Sequence, residues 1–373
     1  MQSIYDYAGK IIFHDLDYSV AKHIQTIVPE FKIEFVLPKQ GYIPKYQILN
    51  NRKVYTDEHL MEMDCNQILS LIGKSTKEGM KDKGKYSYSV MEALYFACLN
   101  SISDCRLCGW QCGVNRFVQT GRCGFGHKIS CGDSFVHAVE EPVINPSIVT
   151  NIAGGCALCC QYCIDHELWD NTGNLTFSEM TPERYWQRAN DHKKVDVPIN
   201  TIEFTNATET LHSVIAVLSK APAKDNYPVV LNIHLYGTKL FYTLAAMVTD
   251  VWLVDLRYGS NDCARKLSMV DDYMKYAEIG LESICSMDSR VIVRILILPG
   301  HITCCHEPAL RLLSKYKDKI WLSILDQYVP EHKAYLFDDL NRRPSDKEIM
   351  SVRKMANDLG LRDVSINPDS FWK

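Results

Sequence analysis

The stretch that decides the fold covers residues 148–163 and runs Ile148-Val-Thr-Asn-Ile-Ala-Gly-Gly-Cys-Ala-Leu-Cys-Cys-Gln-Tyr-Cys163. Its β-branched start, residues 148–152, predicts a strand, and the two glycines predict a tight turn after it. Strand-like and helix-like segments alternate from here to the end of the chain. Further short runs rich in β-branched and aromatic residues predict buried parallel strands at 201–205, 228–233, 251–256, 291–298 and 320–325.

Amphipathic segments that predict helices separate these strands. Thr181-Pro182-Glu183 is typical of a helix start, with a capping Thr, Pro in the first turn and an acidic residue after it. Strands alternating with helices imply βαβ units and an α/β fold. Six or so strands are too few for an eightfold barrel, so we expect a partial, open (β/α)6 TIM-type barrel, with a doubly wound sheet as the alternative. The other expected helices are 88–99, 208–220, 266–283, 308–315 and 346–359, the last ending at Gly360.

Three cysteines after the first of these strands carry the strongest chemical signal. Cys156, Cys160 and Cys163 have the spacing C-x3-C-x2-C. Three thiolates so close can hold three corners of a cubane iron–sulfur cluster, whereas a fully protein-bound [4Fe–4S] cluster needs four. One iron would remain open, and an open metal position is typical of a reactive site. A zinc site is the alternative that the spacing alone leaves.

A second cysteine group precedes the first. Cys105, Cys108 and Cys112 are followed by Cys123, with glycines that allow tight turns between them. Four thiolates at short spacing suit a tetrahedral site, and soft ligands do not separate zinc from a second iron–sulfur cluster. His127 and Cys131 are further nearby candidates.

Composition sets the remaining bounds. The chain has 373 residues, 46% hydrophobic and 23% charged, with a formal net charge of −4, so nothing predicts nucleic-acid binding. No apolar run approaches the roughly 18 residues that span a bilayer, and the N-terminus lacks a signal-peptide pattern. Fifteen cysteines, an odd number, then favour metal binding in a reducing compartment over disulfides. We therefore expect a cytoplasmic protein without a membrane partner.

The C-x3-C-x2-C motif, with an aromatic residue before its third cysteine, is similar to the signature of radical S-adenosylmethionine (SAM) enzymes. The Cys105–Cys123 group upstream of it resembles the uncharacterised relatives of pyruvate formate-lyase activating enzyme. The resemblance continues in Leu253-Val-Asp-Leu-Arg-Tyr258, in Arg294-Ile-Leu-Ile-Leu-Pro-Gly300 and in Gln327-Tyr328-Val-Pro330. It covers roughly residues 105–330.

The resemblance implies that Cys156, Cys160 and Cys163 hold a [4Fe–4S] cluster whose open iron chelates SAM. Cys159 offers a second frame, C-x2-C-x3-C, but only the frame with Cys160 matches the family. An external donor such as flavodoxin or ferredoxin would reduce the cluster, and the resulting 5′-deoxyadenosyl radical would take a hydrogen atom from a peptide, protein or small-molecule substrate. Activation of a glycyl-radical enzyme is the alternative, and a non-catalytic zinc or iron–sulfur protein is the rival from another class.

Polar residues at the ends of the predicted strands are the candidates for binding the cofactor, because active sites of barrels lie at the carboxyl ends of the strands. Asp255 and Arg257 point to the same side of their strand and pair with each other or serve the site. The family's Gly-Gly-Glu is missing near 204–208, where Asn206, Thr205 or Glu209 could substitute. The candidate set is Asn206, Asn232, His234, Asp255, Arg257, Arg294 and Gln327, with Asp326 beside the last. No residue is assigned a catalytic role.

The motifs divide the chain into three parts. Residues 1–100 form an N-terminal extension of unknown role, 101–146 a cysteine-rich metal-binding segment, and 147–373 the barrel. Two histidines and two cysteines at 301–306, His301-Ile-Thr-Cys-Cys-His306, suggest a metal site or a thiyl-radical role, with a purely structural role as the alternative. The remaining cysteines, which we expect to be ordinary buried thiols, are Cys65, Cys98, Cys263 and Cys285.

Overall fold

The computed structural model describes residues 42–75, 84–138, 140–141, 144–169, 177–194, 199–287 and 290–363. Some of the strands agree with those expected from sequence, and others were not foreseen. The described strands are β1 Lys53–Thr56, β2 Tyr86–Ser89, β3 Ser130–His137, β4 Ser147–Ala153, β5 Ser178–Glu179, β6 Thr201–Phe204, β7 Val229–Ile233, β8 Val251–Asp255, β9 Arg290–Leu296 and β10 Trp321–Leu325.

Helices lie between most of these strands, and a single π-helical turn covers Ile302–His306. The described α-helices are α1 Lys45–Asn51, α2 Cys65–Ser75, α3 Val90–Ser103, α4 Pro182–His192, α5 Ala207–Ser219, α6 Lys239–Ala245, α7 Asn261–Ser268, α8 Tyr273–Cys285, α9 Glu307–Ser314 and α10 Asp346–Asp358.

One large sheet organises the molecule, with the strand order β10-β9-β8-β7-β6-β4-β3-β5. The six strands β4 and β6 to β10 are parallel and stand in chain order, while β3 and β5 extend the sheet antiparallel beyond β4. The order contains no reversal of the kind that defines a doubly wound sheet. The protein is therefore a mixed α/β protein built on a parallel sheet, as the sequence predicted. The first two strands form a separate antiparallel pair.

The parallel strands end together at one edge. Their residues are nearly all buried, which explains the continuous apolar runs in the sequence. The register pairs Asp255 at the end of β8 with Arg294 on β9. Loops that follow the strands therefore meet at this edge, where the polar residues after each apolar run come together.

One expected helix is wrong. Residues 266–283 do not form a single helix, because α7 ends at Ser268 and α8 begins at Tyr273. Met269 takes the left-handed conformation, with φ of 55°, and its backbone N–H donates to Arg265 O. This C-cap stops the helix although the apolar pattern continues through it.

The described part of the N-terminal extension packs onto the sheet-bearing part of the chain. Helix α3 contacts α5, and buried side chains from Tyr46 onward belong to the same hydrophobic core as those of the strands. Gln47 Nε2 donates to Pro222 O at 2.8 Å, and Asn50 Nδ2 donates to Leu218 O at 2.9 Å. Residues 33–37, whose sequence Ile-Glu-Phe-Val-Leu predicts a strand, lie outside the described residues, as does most of the charged segment 76–85, whose sequence predicts a loop. Among the helices described, none has the length and apolarity needed to cross a bilayer.

Candidate metal and cofactor site

The C-x3-C-x2-C cysteines lie on the loop that leaves β4. Gly154 has φ of 108°, a backbone conformation that favours glycine, and it turns the chain sharply at the end of the strand. Cys163 N donates to Cys160 O at 3.1 Å, which folds the loop back on itself. Cys160 is buried and Cys156 is half-buried. The loop thus brings cysteines from a sharp turn to the edge where the parallel strands end.

A cavity of about 210 Å³ opens at this edge. Cys156, Cys160 and Cys163 line it together with residues from the ends of β6 to β10. The seven residues expected from sequence to bind the cofactor all line the same cavity: Asn206, Asn232, His234, Asp255, Arg257, Arg294 and Gln327. Asp326 is directed elsewhere, since its carboxylate lies 3.1 Å from Arg353 Nη2.

Cys159 differs from the other cysteines of the loop. It has a positive φ of 45°, and its thiol donates to Cys156 O at 3.0 Å. It is not one of the residues that line the cavity. Among the four cysteines of 156–163, the three that share the cavity are therefore those of the C-x3-C-x2-C frame.

Hydrogen-bond donors surround two of the cavity sulfurs. Trp169 Nε1 lies 3.4 Å from Cys163 Sγ. The hydroxyls of Tyr258 and Ser268 lie 3.5 and 3.2 Å from Cys160 Sγ. Donors at this range stabilise sulfur in its anionic form, and in iron–sulfur proteins such bonds tune the reduction potential.

Two arginines form ion pairs with one carboxylate in the wall of the cavity. Arg257 Nη2 donates to Asp255 Oδ2 at 2.6 Å, and Arg294 Nε donates to Asp255 Oδ1, also at 2.6 Å. Burial works against ionisation of Asp255, yet the two guanidinium groups hold the pKa of this carboxyl below its ordinary value. Arg294 also donates to Asn232 Oδ1 at 3.0 Å. The ion pair expected between Asp255 and Arg257 thus extends to Arg294 on β9 and Asn232 on β7.

Asn206, one of the candidates that the sequence offered near 204–208, is the N-cap residue of α5. It has φ of 50°, and its Nδ2 donates to Ile152 O at 3.2 Å. Thr205 Oγ1 accepts the Ile152 N–H at 3.1 Å. Both side chains therefore fasten the end of β4 to the end of β6 beside the cavity. Gln327 lies across it and donates to Glu140 Oε1 at 2.5 Å.

Glu209, which the sequence offered as a substitute for the missing Gly-Gly-Glu, is buried and does not line the cavity. Its Oε1 accepts the Ala157 N–H and meets His234 Nε2, both at 2.8 Å. Burial opposes its ionisation, but His234 and these bonds outweigh burial and lower its pKa. Donor atoms of Cys156, Glu209 and His234 lie within 4.8 Å of one another.

The second cysteine group is in direct backbone contact with the first. Cys156 N donates to Cys123 O at 2.8 Å. A Cβ on Gly155 would come within 2.1 Å of that same carbonyl oxygen, so only glycine fits there. Trp110 Nε1 donates to Ala157 O at 2.8 Å. Backbone contacts therefore join the two cysteine groups across the Gly-Gly turn.

The four cysteines of this second group are not gathered as tightly as the ligands of one ion. Cys105, Cys108 and Cys123 are buried, whereas Cys112 is exposed. In the described part of the chain, these sulfurs contribute to no set of three donors lying within 4.8 Å of one another, and the sulfurs of Cys156, Cys160 and Cys163 do not form such a set together either. Cys131 is separate from them on β3, where its sulfur lies 3.2 Å from Arg188 Nη1.

Fold and site together define a parallel α/β protein with a cysteine-lined cavity at the carboxyl edge of its sheet. An uncharacterized protein of Methanocaldococcus jannaschii is 30% identical over 269 residues, which are 70% of this chain and 77% of the archaeal protein. The chain belongs to the family of that protein. No protein-family model matches.

One solved structure is weakly similar to the chain. A domain of pyruvate-formate lyase-activating enzyme from Bacteroides vulgatus is similar over 37% of this chain and 80% of its own length. The identity is 13% and the TM-score is 0.31, too low to support a conclusion on fold or function.

Proposed function

We propose that this protein is a radical SAM enzyme. One observation carries the proposal: three cysteines spaced C-x3-C-x2-C line one cavity with the polar ends of five parallel strands. Binding sites of parallel α/β proteins lie at this edge of the sheet. We further propose that the parallel strands form a partial (β/α)6 barrel, because they stand in chain order without a reversal.

The donor set of the cavity fits a [4Fe–4S] cluster bound by three protein ligands. Cys156, Cys160 and Cys163 would hold it, and the polar wall opposite would receive SAM. The chemistry that the cluster and SAM supply when bound is one-electron cleavage of the sulfonium, with hydrogen abstraction from a substrate by the resulting radical. A flavodoxin- or ferredoxin-type donor would provide the electron.

The residues of the chain have positioning roles in this proposal. Asp255 holds Arg257 and Arg294 in fixed orientations, so the two cations are organised before a carboxylate arrives. Arginine suits this role because its planar fork binds carboxylates through two bonds. Asn206 and Asn232 add polar contacts from the neighbouring strand ends.

The walls of the cavity also restrict water. Leu158, Ile233 and Leu296 line it beside the polar groups. Apolar walls strengthen the electrostatic contacts inside a site and keep a reactive intermediate from side reactions. Trp169, Tyr258 and Ser268 orient their donors toward the cysteine sulfurs.

Other parts of the proposal rest on the sequence patterns. Residues 101–146 would form a second metal segment, with zinc or an iron–sulfur cluster at Cys105, Cys108, Cys112 and Cys123. Residues 1–100 would be an extension and 147–373 the barrel domain, in a cytoplasmic enzyme. The substrate would be a peptide or a small molecule, and a glycyl-radical partner enzyme is the alternative.

Metal content and electron paramagnetic resonance test the proposal. We expect the anaerobically reconstituted protein to contain about four irons and four sulfides at the first cysteine group. Addition of SAM to the dithionite-reduced protein should shift the cluster signal, because SAM occupies the open iron. Zinc alone at both cysteine groups, with no reducible cluster, would overturn the proposal.

A further inference from the structure

Three side chains of types that can bind a metal meet outside the cavity. Two of them are close in the chain, and the third comes from an earlier helix. Cys263 Sγ lies 3.7 Å from Cys304 Sγ and 3.5 Å from His301 Nδ1. Cys304 Sγ lies 3.4 Å from the same nitrogen. The three atoms thus form a small, nearly equilateral triangle.

The size of this triangle matches the coordination sphere of zinc. Zinc–sulfur bonds of about 2.3 Å and zinc–nitrogen bonds of about 2.0–2.1 Å, set at tetrahedral angles, place two sulfurs about 3.8 Å apart and a sulfur about 3.5–3.6 Å from nitrogen. The observed separations agree with these values within about 0.2 Å. Two thiolates and an imidazole are also a donor set that favours zinc over hard cations.

The elements that carry the three donors are fixed by the backbone. Cys263 lies in the first turn of α7, where Ser260 Oγ accepts its N–H at 3.2 Å. His301 follows the end of β9, and Cys304 lies in the π-helical turn Ile302–His306. Such turns are frequent at functional sites. Cys263 and His301 are buried, and Cys304 is exposed to solvent.

A carboxylate lies behind the histidine. Asp339 Oδ2 is 3.2 Å from His301 Nε2, the ring nitrogen that faces away from the two sulfurs. Lys266 Nζ lies 3.0 Å from the same carboxylate. The contact is within ion-pair distance but does not have hydrogen-bond geometry. In metal sites a carboxylate at this nitrogen commonly fixes the ring and raises its basicity.

The neighbouring residues of the same turn are used otherwise. Cys305 is buried, and its sulfur accepts the Gly259 N–H at 3.2 Å. His306 Nε2 accepts the Leu298 N–H at 2.8 Å. The Cys305 thiol also contacts the Cys263 thiol, but its sulfur does not belong to the set of donors that lie within 4.8 Å of one another. The expectation of a metal site at 301–306 therefore narrows to His301 and Cys304, joined by Cys263.

We propose that Cys263, His301 and Cys304 bind a zinc ion, with water in the fourth position. The ion binds two thiolates and a neutral imidazole, which leaves the site without net charge. The ion fastens α7 to the segment that follows β9. Helix α7 in turn supports the cysteine loop, because Leu267 O accepts the Gln161 N–H at 2.8 Å. This site is separate from the cluster site and does not depend on the proposed radical SAM activity.

Metal counts on matched variants test the site. Cys304→Ala removes an exposed ligand, and Cys305→Ala removes the adjacent cysteine that lies outside the triangle. After dialysis against a chelator that strips loosely bound metal, we expect Cys304→Ala to contain about one zinc per chain less than the unmodified protein. Cys305→Ala should retain that zinc, and the iron content of both variants should be unchanged.

Two results would overturn the zinc site. Equal zinc in Cys304→Ala and the unmodified protein would show that Cys304 binds none. A Cys263–Cys304 disulfide in the purified protein, detected by peptide mass mapping without reduction, would show that the pair is redox-linked instead. Since iron is counted in parallel, loss of the cluster would appear as lost iron and would not be confused with lost zinc.

Discussion

Cys159 and Cys160 are neighbours with different surroundings. Cys160 is buried in the cavity wall, with hydroxyls of Tyr258 and Ser268 directed at its sulfur. The thiol of Cys159 is turned to the carbonyl of Cys156. The orientation of the side chains therefore distinguishes two cysteines that spacing alone leaves in competition.

Cys160→Ala is expected to lose the SAM-dependent change in the cluster signal and most of the iron at this site, because only two protein ligands remain. Cys159→Ala is the matched control and should retain both. Iron analysis and electron paramagnetic resonance of the two reconstituted variants measure the difference. The reverse outcome, with Cys159 required and Cys160 dispensable, would assign the cluster to the other frame.

Glu209 binds the cysteine loop that follows β4 through the Ala157 N–H. Glu209→Ala leaves the Ala157 N–H and His234 Nε2 without the partner they share, and each unsatisfied buried group costs about 1–3 kcal/mol. We expect the free energy of unfolding to fall by about 2–5 kcal/mol in urea titrations. Glu278→Ala, at an exposed position of α8, should change it by less than about 0.5 kcal/mol. Equal changes in the free energy of unfolding for the two substitutions would contradict a structural role for Glu209.

At the scale of elements, the Gly-Gly turn joins the two cysteine groups. A Cβ at residue 155 would come within 2.1 Å of Cys123 O and 3.1 Å of its carbonyl carbon, and backbone cannot yield as a flexible side chain can. This close contact explains why residue 155 is glycine, since any other residue would bring its Cβ against the Cys123 carbonyl.

Gly155→Ala should therefore separate Cys156 from Cys123, lower the free energy of unfolding by about 3 kcal/mol or more, and reduce the iron bound at the first group. Gly73→Ala is the control, since a Cβ there meets nothing within 4 Å and lies inside α2. It should be neutral or stabilise by about 0.5–1 kcal/mol. Urea titration and iron analysis of both variants test this, and a Gly155→Ala protein with unchanged iron content and stability would contradict it.

The elements that the sequence predicted well are those with one strong local signal. The parallel strands were found because their buried runs are continuous, and α4 because Thr181 and Pro182 mark its start. The break between the two helices within 266–283 was missed because it depends on the left-handed conformation of Met269. Methionine has no preference for that conformation, so the sequence gives no sign of it. Strand β3 was missed because Cys131 and Gly132 lie in a segment dominated by its cysteines.

The site residues also divide into those with a local sequence signal and those without one. Strand-end polar residues were predictable, because the ends of parallel strands meet at one edge. The triangle of Cys263, His301 and Cys304 was not, because 38 residues separate Cys263 from His301 and only tertiary folding brings them together. Sequence spacing identifies ligands on one loop and misses ligands shared between distant elements.

For the whole molecule, the central claim is that the cavity cleaves SAM reductively. The direct measurement is 5′-deoxyadenosine formed by the anaerobically reconstituted protein with SAM and dithionite, followed by chromatography. We predict formation of 5′-deoxyadenosine together with methionine by the unmodified protein, and loss of the activity in Cys163→Ala. A protein that carries a reduced cluster and yet forms no 5′-deoxyadenosine above the level of the Cys163→Ala variant would contradict the account.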